Sequence, residues 1–359
     1  MIYIVDIESV LTRYTCQWKI AVPQLLRDNG LDVTVIEGPT DIPPATSPGA
    51  FLNFGGTNIY KSAQVQKIAK LFCDNVIKDG DYFLFTDAWH PGIINLKYMA
   101  ELLGVKIKIG GLWHAGSYDN FDFLGRLIGD APWVRHAEKS FFHCIDHNYF
   151  ATDFHINMFI ENEMKEDIRN GRMGYMTTGK IVRTGWPMAY MPDTLKDYVG
   201  LPKHDLILFP HRIAPEKQVD IFRDLEKSLP QYEFVVCQDK QLTKHEYHTL
   251  LGQAKMIFSC SLQETLGIST GIEGPVVGAI PFVPDSLSYS EMFNARFKYP
   301  KEWTQNWDAY LKYKPLLIEA IMNLMDNYDD TVPALTAQKE SLLRDFFSAG
   351  DMVDTIKCS

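Results

Sequence analysis

The stretch Leu206-Ile-Leu-Phe-Pro-His-Arg-Ile-Ala-Pro-Glu-Lys-Gln218 decides the reading of this chain. Its first four residues form a short, wholly apolar run, the pattern of a parallel strand buried on both faces. Pro210 ends the run, and Arg212 and Lys217 follow in a loop of turn-forming residues. A second segment, Ser261-Leu-Gln-Glu-Thr-Leu-Gly-Ile-Ser-Thr-Gly-Ile-Glu273, also follows an apolar run and sets Glu264 and Glu273 on either side of Gly267. Cations of this kind suit a diphosphate, whereas carboxylates accept the hydroxyls of a sugar and a ribose. The two segments together read as a nucleotide-sugar site.

Around them the chain is α/β throughout. Apolar runs at 2–6, 33–37, 51–54, 82–86, 105–110 and 180–183 read as strands, with helical spacing of apolar residues at 60–76 and 93–103. The pattern restarts at 205–210, 233–237, 255–260 and 280–284. Thr184-Gly-Trp-Pro-Met-Ala-Tyr-Met-Pro192 is rich in turn formers and separates the two series, so the linker belongs there. This alternation predicts two Rossmann-like, doubly wound domains facing a cleft, with ligands at the carboxyl ends of the strands. The predicted boundaries are an acceptor-side domain at 1–187, a donor-binding domain at 188–335 and a helical tail at 336–359 that packs back on the first domain. Within 303–359 the pattern is helical, with a break expected at 329–333.

Composition bounds the alternatives. The chain has 359 residues and a net charge of −10, which argues against a broad electrostatic grip on nucleic acid or membrane. Residues 1–187 hold 18 Lys and Arg against 21 Asp and Glu, leaving 17 against 24 for the rest, so a polyanion would find its better patch on the first half. No apolar run reaches the roughly 20 residues that span a bilayer, and the first residues read as a strand rather than a leader. The six cysteines are scattered without a C-x-x-C pair, as expected of a cytoplasmic protein.

The segment from Leu206 to Gln218 resembles the strand–loop motif that opens the C-terminal domain of GT-B glycosyltransferases, particularly the retaining family-four type. Ser261–Ser269 through Glu273, followed by Gly278-Ala-Ile-Pro281, is similar to that family's E-x7-E region and the proline element after it. The resemblance implies that Arg212 and Lys217 hold the donor diphosphate. It also places Glu264 and the backbone of Thr265, Leu266 and Gly267 at the donor sugar, and Glu273 at the ribose. Here eight residues rather than seven separate the glutamates, so the loop or helix start must absorb one more. The glycine-rich loop usual after the first strand is replaced by Glu8-Ser-Val-Leu-Thr-Arg-Tyr-Thr15, in which Arg13 is a candidate for an anion.

In the first half, Thr86-Asp-Ala-Trp-His-Pro91 and Gly111-Leu-Trp-His-Ala-Gly-Ser-Tyr-Asp119 each follow a strand. His114 resembles the histidine that retaining GT-B enzymes place beside the donor sugar. Asp87 and Asp119 are the candidates for orienting an acceptor hydroxyl, and Arg13, Tyr14, Trp89, His90 and Tyr118 for the acceptor wall. No ligand spacing fits a metal and no D-x-D motif stands out, so the expected reaction is metal-independent. The expected co-substrate is a nucleoside-diphosphate sugar, UDP-linked by preference, with no tightly bound cofactor. Loosely, the Arg13–Lys19 region and the run at 113–119 look like phage-type glycosyltransferases, which points to a hydroxymethylated pyrimidine in DNA as acceptor. A saccharide acceptor, a nucleotide-sugar 2-epimerase and a non-catalytic nucleotide-sugar binder are the alternatives.

Overall fold

The computed structural model describes residues 1–10, 13–42, 53–129, 131–169 and 179–359, apart from the side chains at 166 and 167. The chain divides into two compact units, the first comprising Met1–Ala151, His155–Pro187 and Ala349–Ser359, the second Thr152–Phe154 and Met188–Ser348.

The first unit is built on six strands, β1 (Ile2–Val5), β2 (Val33–Ile36), β3 (Tyr82–Phe85), β4 (Lys108–Leu112), β5 (His147–Phe150) and β6 (Ile181–Arg183). They pair in the order β2-β1-β3-β4-β5-β6, every pair parallel. Every residue of β1 and β3 is buried, as a parallel sheet covered on both faces requires. The helices α1 (Tyr14–Asp28), α2 (Phe54–Cys73) and α3 (Gly92–Leu103) connect the first strands. Because β2 and β3 lie on opposite sides of β1, the winding reverses between β1 and β3, which is the switch point where such sheets open toward ligands.

The second unit repeats the plan with β7 (His204–Phe209), β8 (Glu233–Val236), β9 (Ala254–Phe258), β10 (Ile280–Pro284) and β11 (Lys298–Tyr299). Their order is β11-β10-β9-β7-β8, again all parallel, so the winding reverses between β7 and β9. The loops after these two strands carry the two segments from which the sequence reading began.

Differences from the sequence reading have local causes. Of the strand expected at 51–54, residues 51 and 52 lie outside the described residues and Phe54 opens α2. The strand expected at 105–110 is displaced to Lys108–Leu112. Gly110, the last residue of the expected run, lies in the middle of the observed strand, where it is a packing requirement. A Cβ there would lie 2.3 Å from the Tyr82 hydroxyl and 2.8 Å from the Tyr149 ring. β11 has only two residues and left no periodic signal. The break in the C-terminal helices falls at Asn327, between Trp307–Asp326 and Tyr328–Phe346, and Pro333 sits inside the latter. Tyr328–Phe346 belongs to the second unit, so the chain returns to the first unit at Ala349 rather than at 336. There the helix Gly350–Lys357 is tied down by Met352 N donating to the Thr184 hydroxyl (2.9 Å) and by Lys357 Nζ donating to Asn29 (2.9 Å).

Candidate functional site

In the second unit, Pro215–Lys217 forms a single tight helical turn after β7, and Gln218 follows with φ 53° before the helix Val219–Ser228. That kink turns Lys217 inward until it is 5% exposed. Its ammonium donates to Glu264 Oε1 at 2.7 Å and to the Gln263 carbonyl, so a cation from the loop after β7 meets a carboxylate from the loop after β9. Arg212 is more open, with its side chain 34% exposed, and is paired with the buried Glu216 one turn on. The Leu262 amide donates to the Glu216 carbonyl at 2.8 Å, which ties the two loops together along the backbone.

Downstream of Glu264 the chain turns through Gly267, whose φ of +76° is a left-handed conformation open to glycine. Ser269–Glu273 then forms a π-helical turn, with Gly274 N donating to Ser269 O, before Gly274–Val277 continues as α-helix. A π turn holds one residue more than an α turn. The turn lies within the stretch from Glu264 to Glu273, where the count is one residue longer than the E-x7-E spacing. Glu273 is gripped by Tyr247, whose hydroxyl donates to Oε2 at 2.8 Å. Burial pushes the Glu273 carboxyl up, while its bonds to Tyr247 and Ser269 pull it back.

One residue here escaped the sequence reading. His211 precedes Arg212 and is 9% exposed. Its Nδ1 lies 3.6 Å from Glu264 Oε1, and its Nε2 is buried without a hydrogen-bond partner. Burial, reinforced by Lys217, holds its pKa well below the usual histidine range, so the ring is neutral.

In the first unit the candidates cluster around the β1/β3 switch point and the end of β4. His114 accepts from the Tyr14 hydroxyl at Nδ1 (2.7 Å), and its Nε2 faces the Thr86 carbonyl at 2.6 Å. A carbonyl only accepts, so Nε2 carries the proton and the ring is a neutral, fully oriented tautomer. Burial lowers its pKa, against the pull of Asp87. Trp18 and Trp186 enclose it at ring distances of 5.2 and 4.9 Å. Arg13 lies 5.8 Å from the Tyr14 ring. Asp87 is half-buried. Burial works to raise its carboxyl, but Lys61 at 2.8 Å outweighs that and holds it below the usual carboxylate range.

Other candidates are interior groups. His90 is 2% exposed, its Nδ1 accepts from the Gly92 amide and its Nε2 donates to Gln64, and burial drops its pKa to about 3. Tyr118 is 1% exposed and bonds His155 at 2.6 Å. Trp89 donates from Nε1 to the fully buried Glu138, and Asp119 accepts from the Phe121 amide. The alternation of polar and aromatic residues at strand ends suggested a wall facing a ligand, but several of these polar groups instead bond neighbouring protein groups.

The sequence reading also missed the inward face of α2. Thr57, Tyr60, Lys61 and Gln64 are all buried, and each holds a group at the end of β1 or β3. Thr57 donates to Glu8, Tyr60 and Gln64 to Asp6, and Lys61 to Asp87 and the Trp89 carbonyl. The available signal was that the helical spacing which is apolar at Ile68 and Phe72 turns polar toward the helix start. Among the described residues no group of three or more His, Cys, Asp and Glu is placed to hold a metal ion, and no helix is long and apolar enough to cross a membrane.

No protein-family model and no curated protein matches this sequence. Solved structures do. The chain is similar to an α,α-trehalose-phosphate synthase (UDP-forming) from Burkholderia vietnamiensis, with 12% identity, coverage of 100% and 99% of the two chains and a TM-score of 0.56. It is similar to HepE from Anabaena in complex with UDP-glucose, with 9% identity, coverage of 100% and 99% and a TM-score of 0.56. It is also similar to a sucrose-phosphate synthase from Thermosynechococcus elongatus, with 11% identity, coverage of 99% and 98% and a TM-score of 0.58. Two parallel-sheet α/β units, matched along their whole length by these proteins, give the chain the GT-B fold.

Proposed function

We propose that this protein is a glycosyltransferase that moves a sugar from a nucleoside-diphosphate sugar, UDP-linked by preference, to an acceptor hydroxyl. The observation that carries this reading is the meeting of Lys217 with Glu264, and of Glu273 with its own support, in the loops flanking the β7/β9 switch point. A buried cation there answers the charge that develops on a departing diphosphate, and two carboxylates answer hydroxyls. Arg212 is the second diphosphate cation, Glu264 and the backbone from Thr265 to Gly267 meet the sugar, and Glu273 meets the ribose. HepE of the same fold binds UDP-glucose, which supports this class of donor.

The chemistry follows from charge. Cleavage of the anomeric bond leaves positive character on the sugar and negative charge on the diphosphate, and preorganised cations stabilise the latter without a metal. In a retaining transfer the acceptor oxygen attacks from the face the diphosphate leaves, and the departing phosphate oxygen takes the acceptor proton. His114 is neutral with both nitrogens engaged, by Tyr14 and the Thr86 carbonyl, so it shapes the site as an oriented ring rather than as a titrating base, and Asp87, kept ionised by Lys61, is the acceptor-side carboxylate. For the acceptor, the aromatic surroundings of His114 favour a planar group, and a hydroxymethylated pyrimidine in DNA is the first candidate.

Calorimetry against UDP, GDP, ADP and their common sugars, followed by mass spectrometry with hydroxymethylated DNA, tests the proposal. A sugar mass increment on DNA establishes both donor and acceptor. Donor binding without it moves the acceptor to saccharides, and acceptor-independent conversion of the donor sugar identifies an epimerase. Absence of nucleotide binding overturns the reading.

A further inference from the structure

His211 stands beside the Lys217–Glu264 pair just assigned to the donor, yet its side chain makes no hydrogen bond. Nε2 is buried without a partner, and Nδ1, at 3.6 Å from Glu264 Oε1, is beyond hydrogen-bond reach. Buried polar nitrogens are rarely left so, because an unmade hydrogen bond costs the full desolvation of the group. Lys217, by contrast, is saturated. Two of its protons are committed to Glu264 and the Gln263 carbonyl, and the Gln263 side-chain oxygen lies at 3.5 Å.

A diphosphate can engage Lys217 only by taking one of these places. The Gln263 carbonyl is fixed in the backbone and the Gln263 side-chain oxygen, at 3.5 Å, is a weak neutral partner; the partner whose charge competes with the diphosphate for the ammonium, and which yields to it, is the Glu264 carboxylate. Once it yields, His211, with Nδ1 3.6 Å from Glu264 Oε1, is a polar neighbour in place to receive it. A neutral imidazole carries a single N–H. A lone pair on Nδ1 would face the carboxylate with like polarity, so the proton belongs on Nδ1, directed at Glu264, and Nε2 is left as an acceptor.

We propose that His211 is a positioning residue of the donor site. When Lys217 turns to the diphosphate, His211 Nδ1–H takes over Glu264 and holds its carboxylate against the sugar hydroxyls. The proposal rests on the nucleotide-sugar reading and deepens it, because it separates recognition of the sugar from recognition of the diphosphate. No bond is made or broken by His211.

The test uses side-chain geometry. His211→Asn keeps a donor near the Nδ1 position and removes Nε2, whereas His211→Phe keeps the ring's bulk and removes both nitrogens. The readout is the ratio of the Kd values for UDP and UDP-glucose, with GDP and GDP-mannose as the parallel pair, together with kcat and KM for donor consumption. In His211→Phe the sugar's share of the affinity should fall by about tenfold while the diphosphate alone binds as in wild type, the size expected for one charge-assisted hydrogen bond. His211→Asn should recover most of it. An unchanged ratio in His211→Phe, or an Asn variant no better than Phe, overturns the role of His211 while leaving the donor reading intact. A wild-type protein that binds neither pair overturns both. Circular dichroism of each variant separates loss of fold from loss of sugar recognition.

Discussion

Replacing Lys217 by alanine puts the donor assignment under most strain, because it has separable consequences for stability and for chemistry. The residue is 5% exposed, and its removal leaves the Glu264 carboxylate and the Gln263 carbonyl without their cation. Breaking a fully buried pair costs about 3–5 kcal/mol. Glu264 keeps 16% of its side-chain surface open to water, so a smaller loss of about 1–3 kcal/mol applies. Loss of a preorganised group opposite a developing anion costs about 10²–10³ in turnover. Lys217→Ala should therefore lower the melting temperature by several degrees, weaken UDP binding and reduce kcat/KM by two to three orders of magnitude. The double variant Lys217→Ala/Glu264→Gln separates the two effects. Neutralising the orphaned carboxylate should restore most of the lost stability, because removing both partners is far cheaper than removing one. It should restore none of the nucleotide affinity. Calorimetric titration with UDP and thermal unfolding of the four proteins in the cycle measure both quantities. Wild-type UDP affinity in Lys217→Ala, at whatever stability, would refute the reasoning and reduce Lys217 to a structural pair.

Three further outcomes are expected. Gly267→Ala should destabilise the second unit by about 1–2 kcal/mol for the left-handed backbone alone, and more because its Cβ would meet Thr270 Oγ1 and Tyr289 Cε1 at 2.9 Å. Thermal unfolding with and without UDP reads both the loss and its effect on the site. Tyr247→Phe removes a hydrogen bond to Glu273 that pulls its burial-raised carboxyl back down. The acid limb of nucleotide binding should therefore move to higher pH and UDP affinity should fall by about tenfold; a flat comparison of Kd between pH 5 and 8 would remove Tyr247 from the site. Asp6 is buried, and that burial, opposed by Tyr60 and Lys19, raises its carboxyl to about 6. A raised acid pKa favours the native state while protonated, and this stability is lost as pH climbs from about 4 through about 6, on the order of 2 kcal/mol. Asp6→Asn can still accept from Tyr60 and Gln64, so it should flatten that part of the stability–pH curve and raise stability at pH 8, as measured by urea unfolding at each pH.

The residue pattern alone determined the α/β class and the two-fold restart of the strand series, because apolar runs ended by turn formers are local features. It also singled out Lys217, Glu264 and Glu273, since charges placed just after buried strands stand out against their neighbours. Tertiary structure decided what each charge touches. Arg212 pairs with Glu216 four residues on, whereas Lys217 crosses to Glu264 on another strand's loop, and nothing in the spacing distinguishes the two fates. The eight-residue spacing between the glutamates was visible as a count, but the π turn at Ser269–Glu273 depends on hydrogen bonds formed only in the folded helix. His90 and Tyr118 looked like wall residues and proved to be interior partners of Gln64 and His155, because strand ends in a parallel sheet face both the ligand side and neighbouring helices. The buried polar face of α2 and the unpartnered ring of His211 became readable only with burial and distance in hand. Sequence shows which chemistry a side chain carries, and the packing of distant segments decides whether that chemistry is spent on a neighbour or kept for a ligand.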